Sequence, residues 1–358
     1  MTVRFSVYAI KFLAILLAGW VGFLHQPFAG DTAHAQTTPF YQGKTISIIV
    51  GSKVGDLFDL YARLLAEYMP KYIPGNPNII VQNMAGAASL IAANHVYNVA
   101  NPDGLTIGAI YSGLYFDQVI GRQEVKFDWS KFVWIGSAAT LNHHLYMRAD
   151  SPYKSIGDLV KASEPPKCGA SGTTAAAYFV PKLLDEVIGT KFNIVTGYQS
   201  GSDIDLAIER GEVICSARAI TSFFAREPFH TWRKTGFVRS LIQTGRKRDP
   251  RLPDVPTIYE LMDQYKSPEP ARRLATLVLA AGAFGRPYVL PPKTPADRVN
   301  ILRQAFEKTI KDEAVLAVAE NRKLEIDPNF SDELEKLAKE VVDQPPVIVG
   351  RMRQMLGK

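Results

Sequence analysis

The sequence predicts an α/β fold, and three observations carry that expectation. Short apolar runs alternate with stretches of helical periodicity from residue 36 onward, which is how strand and helix units read along a chain. Pro74, Pro77, Pro152, Pro165, Pro166, Pro253, Pro256, Pro291 and Pro292 fall between those stretches, where loops belong. A chain of 358 residues at 47% hydrophobic can bury one large or two medium cores, and its length favours two domains.

In chain order the strand-like runs are TISIIV (45–50), NIIVQ (78–82), LTIGAI (105–110), FVWIGS (132–137), HHLYMRA (143–149), KCGAS (167–171), FNIVTGY (192–198), VICSARA (213–219), FVRSLIQT (237–244) and ATLVLAA (275–281). Most are followed by a helix or a turn, so the sheets are expected to be largely parallel. The first helix is marked by Leu57, Leu60, Tyr61, Leu64, Leu65 and Tyr68 at helical spacing, with Asp56 as its N-cap and Pro70 as its stop. A second helix, SLIAANHVYNVA, follows NMAGAA, and a third begins at Thr173 after GASG. TPADRVNILRQAFEKTIKD, AVLAVAENRK and SDELEKLAKEVVDQ form a C-terminal helical block, with Pro295 at the first helical position.

The N-terminus carries Arg4 and Lys11, an apolar run from Phe12 to Leu24, and the small-residue triplet Ala33, His34, Ala35. This is the pattern of a secretory signal peptide over residues 1–35, cleaved after Ala35. The apolar run is too short for a spanning helix, which needs about 20 residues. Cleavage removes Arg4, Lys11 and Asp31 and changes the formal charge from +6 to +5. A mild, scattered positive charge suits anionic ligands but excludes a nucleic-acid footprint. The tightest basic cluster, GRKRDPR (245–251), reads as a surface loop. Cys168 and Cys215 sit in apolar strand-like runs. They could pair as a disulfide in an oxidising compartment, and two buried thiols are the preferred reading.

Enzyme signatures are missing from the sequence: it has no GxSxG, Walker or GxGxxG motif, and no CxxC or HExxH spacing for a metal. His143 and His144 alternate faces of a strand and so do not act as a pair, and His95 and His230 have no acidic partner nearby in sequence. Three loops stand out instead. GSKVGD (51–56), NMAGAAS (83–89) and ASGTTA (170–175) each join a strand to a helix, at the sheet edge where ligands of open α/β sheets bind. Small residues there let backbone N–H groups approach an anion. One helix N-terminus contributes only about 0.3–1 kcal/mol. Micromolar binding requires about 8 kcal/mol, so several loops must converge.

The stretch from TISIIVGSKVGDLFDLYARLLAEYMP through NPNIIVQNMAGAASLIAANHVYNVANPDGLTIGAI, continued by SPYKSIGDL, GASGTTAAAYFVPKLLDEVIGTKFNIVTGYQSGSDIDLAIERGEV, LPDVPTIYEL and PPKTPADRVNILRQAFEKTIKD, resembles the extracytoplasmic solute receptors of tripartite tricarboxylate transporters, the Bug receptors. The resemblance implies a two-lobed type II periplasmic-binding-protein fold with a ligand cleft between lobes. One lobe would hold 36–140 and 240–358, the other 141–239. It also implies a monomeric periplasmic receptor that delivers a small organic acid to membrane permease subunits, with no cofactor and no reaction on the ligand.

The ligand-binding residues expected on this basis are Ser52, Lys53, Val54 and Asp59 from the first loop, Asn83, Gly86, Ala87, Ala88 and Ser89 from the second, and Tyr111 after the third strand. The other lobe would supply Ser171, Thr173, Thr174 and Tyr198, with Gly201 following in the same loop. The first loop departs from the family pattern, having Lys53 and Val54 near an expected aromatic and proline, and Asp56 where a glycine is common. Lys53 reads either as an ammonium that balances a more highly charged acid or as a surface lysine covering the turn. A competing reading makes the protein a metabolite sensor docking on a signalling ectodomain, and a third a hydrolase or isomerase on the same scaffold.

Overall fold

The computed structural model describes residues 38–173, 175–198, 201–225 and 227–356. The expected leader over 1–35 and Thr174 lie outside them. β1 (Thr45–Val50) runs into α1 (Leu57–Tyr68), β2 (Asn78–Asn83) into α2 (Leu90–Asn98), and β3 (Thr106–Ala109) into α3 (Leu114–Val119). β4 (Val133–Ser137) is followed by β5 (His143–Arg148), α4 (Ile156–Val160), β6 (Lys167–Gly169), α5 (Ala176–Ile188), β7 (Asn193–Val195), α6 (Gly201–Glu209) and β8 (Cys215–Ala219). Next come α7 (Ile220–Ala225), α8 (Phe229–Thr235), β9 (Val238–Gln243), α9 (Ile258–Gln264) and α10 (Glu269–Phe284). The chain ends in β10 (Pro287–Leu290), α11 (Ala296–Lys311), α12 (Glu313–Asn321), β11 (Asn329–Phe330), α13 (Ser331–Val342) and α14 (Pro346–Met355).

The first helix forms for the reasons its sequence supplies. The Asp56 carboxylate accepts the Phe58 N–H at 3.0 Å and caps α1, whose Tyr61, Ala62, Leu64 and Leu65 are buried. Pro70 then opens a separate turn.

Two sheets organise the molecule, a six-stranded one in the order β11-β4-β10-β3-β1-β2 and a five-stranded one in the order β7-β6-β8-β5-β9. Each sheet with its covering helices makes a lobe, and the chain crosses between them after β4 and again after β9. One apolar core runs through both lobes, joining Ile49, Trp134 and Phe284 to Leu145, Met147, Leu184 and Ile242. Ile48, Val50, Leu64 and Phe306 fill the other face of the six-stranded sheet. Tyr146, Ile204, Phe223 and Trp232 fill the other face of the five-stranded sheet.

Several expectations need correction. The sheets are mixed rather than largely parallel: β10 runs antiparallel to β3 and β4, and β5 antiparallel to β8 and β9. Strands next to a crossing enter their sheet from the other lobe, and side-chain periodicity carries no information about strand direction. The run ATLVLAA is helical, inside α10, where residues 274–280 are all buried. A helix enclosed on every side loses its polar face and reads like a strand. The strand comes later, at β10, from the four residues PYVL. Cys168 and Cys215 are joined in a disulfide rather than free, because β6 and β8 pair in a register that sets their Cα atoms 4.4 Å apart. Pro295 sits at the N-cap of α11, not its first turn, and the third helix starts at Ala176 rather than Thr173.

Candidate functional site

The parallel registers of β1 with β2 and β3 set Val50 beside Asn83 and Ala109, so three strands end along one edge. The loops leaving that edge are stitched together. The Gly51 N–H donates to the Ala109 carbonyl at 3.0 Å and the Met84 N–H to the Val50 carbonyl at 2.8 Å.

Asp59 is fully buried behind the first loop and holds its shape. Its carboxylate accepts the Gly55 N–H at 2.8 Å, Arg63 Nε at 2.9 Å and Asn83 Nδ2 at 2.9 Å, and Asn83 Nδ2 also reaches the Ser52 carbonyl at 3.1 Å. Burial alone would raise the Asp59 pKa, but Arg63, Gly55 and Asn83 together hold it below the usual carboxylate range. Ser52 is 3% exposed, and its Oγ has no hydrogen-bond partner among the described residues. Lys53 and Val54 form the exposed tip of the loop.

The second loop is strained. After Gly86 at φ 147°, Ala87, Ala88 and Ser89 take φ of 45°, 52° and 74°, three successive left-handed residues. Each such residue costs on the order of 1 kcal/mol. The loop is held by the Ser89 hydroxyl, which accepts the Tyr111 N–H at 3.1 Å, and by Gly51, where an added Cβ would lie 1.7 Å from Ser89 Oγ. Thus Asn83, Ser89, Ser52 and Tyr111, well separated in sequence, belong to one packed unit. Ala87 and Ala88 stand exposed on it.

The second-lobe residues gather at the ends of β6 and β7. Ser171 is exposed and Thr173 half-buried in the turn before α5, and Tyr198 lays its ring against Gly169. Gly201 is a close-approach glycine, since an added Cβ would lie 1.9 Å from an Arg218 guanidinium nitrogen. Arg218 Nη2 donates to the Gly201 carbonyl at 2.8 Å and to Asp205 at 2.7 Å. Arg251, in the loop after β9, pairs with Glu325 at 2.7 Å and lies 4.9 Å from the Phe224 ring centroid of α7. The Glu325 carbonyl in turn accepts the Tyr61 hydroxyl at 2.6 Å. These contacts link Phe224 of α7 to Tyr61 of α1 through Arg251 and Glu325.

One residue on the first-lobe edge was not visible in the sequence reading. Arg286 immediately precedes β10, whose Tyr288 pairs antiparallel with Ala109 of β3, two residues before Tyr111. Its backbone is fixed, with its N–H donating to the Ala139 carbonyl and Ser137 Oγ at 2.9 Å each. Its guanidinium lies 4.6 Å from the Phe58 ring centroid, and the Phe58 ring packs on Tyr111 at 4.6 Å. The only sequence signal was a lone arginine between Gly285 and Pro287, ahead of the short run PYVL, which is not among the expected strands.

His143 and His144 point to opposite faces. His143 meets the Phe179 ring edge-on, while His144 bonds Ser240 Oγ at 2.8 Å inside an aromatic cluster. Burial pushes them down to about 4 and about 3, leaving neutral imidazoles. A mostly apolar cavity of about 410 Å³ lies between the lobes, lined by Phe116, Leu141, His143, Phe179, Val278 and Met352. None of the sequence-predicted residues lines it, although Ser112 and Gly113, directly after Tyr111, do.

Residues 61–353 match the family model described as TctC, tripartite tricarboxylate transporter family receptor. Among curated proteins the chain is 26% identical over 363 residues to the UPF0065 protein in the TAR-I ttuE-ttuC' intergenic region of Agrobacterium vitis, covering 94% of this chain and 92% of that one. It is 26% identical over 287 residues to the UPF0065 protein in the gbd 5' region of Cupriavidus necator, covering 79% of each. Among solved structures, a TctC solute binding protein from Polaromonas superposes with a TM-score of 0.69 at 18% identity, over 88% of this chain and 99% of that one. An R. palustris protein solved with adipate gives 0.52 at 17% identity, over 88% and 98%. The shared fold is that of two-lobed solute-binding proteins.

Proposed function

Because this chain belongs to the tripartite tricarboxylate transporter receptor family, we propose that it is a periplasmic receptor that captures a small organic acid in the cleft between its lobes and delivers it to membrane permease subunits. The observation that carries the reading is the packed edge unit of β1, β2 and β3. It presents a buried, unpartnered Ser52 hydroxyl and a loop held in a strained left-handed conformation, as binding sites do. Adipate in a structural neighbour supports a carboxylate as the ligand class.

In this reading Asp59 and Asn83 shape the first loop rather than touch the ligand, because their polar atoms are already engaged. Ser52, Gly86, Ala87, Ala88, Ser89 and Tyr111 line the first-lobe wall. Ser171, Thr173, Thr174 and Tyr198 close from the other side. Residues 1–35 would direct export, and the lobes would divide near residue 140 and again after β9.

Native mass spectrometry of the purified protein, followed by thermal shift against mono-, di- and tricarboxylates, aromatic acids and acidic amino acids, tests the proposal. A co-purified acid, or a rise in melting temperature with one class, is the expected result, since a ligand bound only to the native state stabilises it by mass action. No bound mass and no shift would favour the sensor reading. Lys53→Ala is expected to weaken a di- or tricarboxylate more than a monocarboxylate, and equal losses would leave Lys53 as a surface residue only.

A further inference from the structure

Arg286 has a guanidinium without the partner its setting demands. Its Nε is buried with no hydrogen-bond partner, its Nη1 reaches only the carbonyl of Gly285 at 3.5 Å, and no carboxylate lies within ion-pair distance among the described residues. Arg218, which also has a buried Nε without a partner, differs in this respect. It is paired with Asp205, so its charge is already compensated. A guanidinium held partly out of water with an unused donor fork is expected to find a planar anion.

Its place in the fold says where that anion comes from. Arg286, Tyr111 and Ser52 follow or precede the neighbouring strands β10, β3 and β1, on one sheet edge. With strands about 4.8 Å apart, the Arg286 and Ser52 backbones are about 10 Å from each other across Tyr111. Ser52 Oγ and Arg286 Nε, both without hydrogen-bond partners among the described residues, thus belong to residues whose backbones flank Tyr111 at that spacing, and the Arg286 guanidinium lies on the Phe58 ring that packs on Tyr111.

We infer that Arg286 is the carboxylate anchor of this receptor, binding one ligand carboxylate through its guanidinium fork, with Phe58 fixing the plane of the guanidinium and Ser52 taking the ligand's other polar end. The inference rests on the receptor reading and names the group that confers its acid specificity. Neutral amides of the same acids would be rejected, because they leave the guanidinium uncompensated.

The test compares wild type, Arg286→Gln and Arg286→Lys by calorimetric titration with acetate, benzoate, adipate, glutamate and citrate, and with benzamide and adipamide as neutral counterparts. The acid bound by wild type is expected to lose about 30-fold or more in affinity in Arg286→Gln. Arg286→Lys, which keeps the charge but not the fork, should lose about 3- to 10-fold. Neither amide should bind wild type. Melting temperatures without ligand should fall only slightly, since the side chain makes no hydrogen bond beyond its own neighbour and loses only its contact with the Phe58 ring. If an acid binds wild type and Arg286→Gln equally, the anchor is elsewhere and the receptor reading stands. If an amide binds as well as its acid, the anchor is overturned in the same way. If no acid binds wild type, the receptor reading falls and the anchor with it.

Discussion

A fully buried His144 whose imidazole stays neutral makes stability depend on pH. Burial is the main cause of its depressed pKa, and the neighbouring His143 and the Arg218 guanidinium lower it further. An unfolded histidine titrates near 6.5, the folded one at about 3. Between those values the unfolded chain binds a proton that the native chain refuses, so the contribution is complete above about pH 6.5 and declines steadily as pH falls toward 3. The melting temperature should therefore drop as pH falls across that window, and His144→Asn should flatten the drop. An unaltered slope in the variant would assign the acid sensitivity to other groups. Asp59 shows the opposite use of burial, where three donors keep a carboxylate charged and bind a loop together.

At the scale of an element, the second binding loop depends on a contact with the first. Gly51 has an ordinary φ, and what it supplies is room, since Ser89 occupies the space a Cβ would take. Gly51→Ala should destabilise the protein by about 1–3 kcal/mol through overpacking. Gly51→Ala combined with Ser89→Gly should recover much of that loss, because the second change removes the Ser89 Oγ and Cβ from the clash and relieves a left-handed serine. Additive losses in denaturant titration would show that the two loops do not interlock as described. The disulfide between β6 and β8 acts on the same scale, closing a loop of sequence separation 47 in the second lobe.

For the whole molecule, the question is what sets the angle between lobes. Arg251, which touches Phe224 of the second lobe, is held by an ion pair with Glu325 in which both side chains are 35% exposed, and such a pair is worth at most about 1 kcal/mol. The apolar core shared by both sheets buries Leu145, Met147, Ile242 and Phe284 completely, and full burial of one such side chain contributes about 1.5–3 kcal/mol. The core outweighs the ion pair, so raising salt to about 0.5 M should leave the radius of gyration of the ligand-free protein unchanged. Saturation with the acid found by thermal shift should reduce that radius as the lobes close about the two crossings. A radius that responds to salt but not to ligand would mean that the surface pair, not the cleft, governs the arrangement.

The sequence by itself determined the α/β class, nine of the strand positions, the capping of α1 at Asp56 and the loops at 51–56, 83–89 and 170–175, because these depend on local periodicity and turn chemistry. Its resemblance to a receptor family supplied the two-lobed fold and the acid-binding expectation. Tertiary structure alone decided the sense of β5 and β10, the helical state of α10, the pairing of Cys168 with Cys215, the full engagement of Asp59 and the position of Arg286 on the Phe58 ring. Each of these turns on which strand lies next to which and in what register. That is a non-local choice fixed by packing the whole core, and no short window of residues contains it.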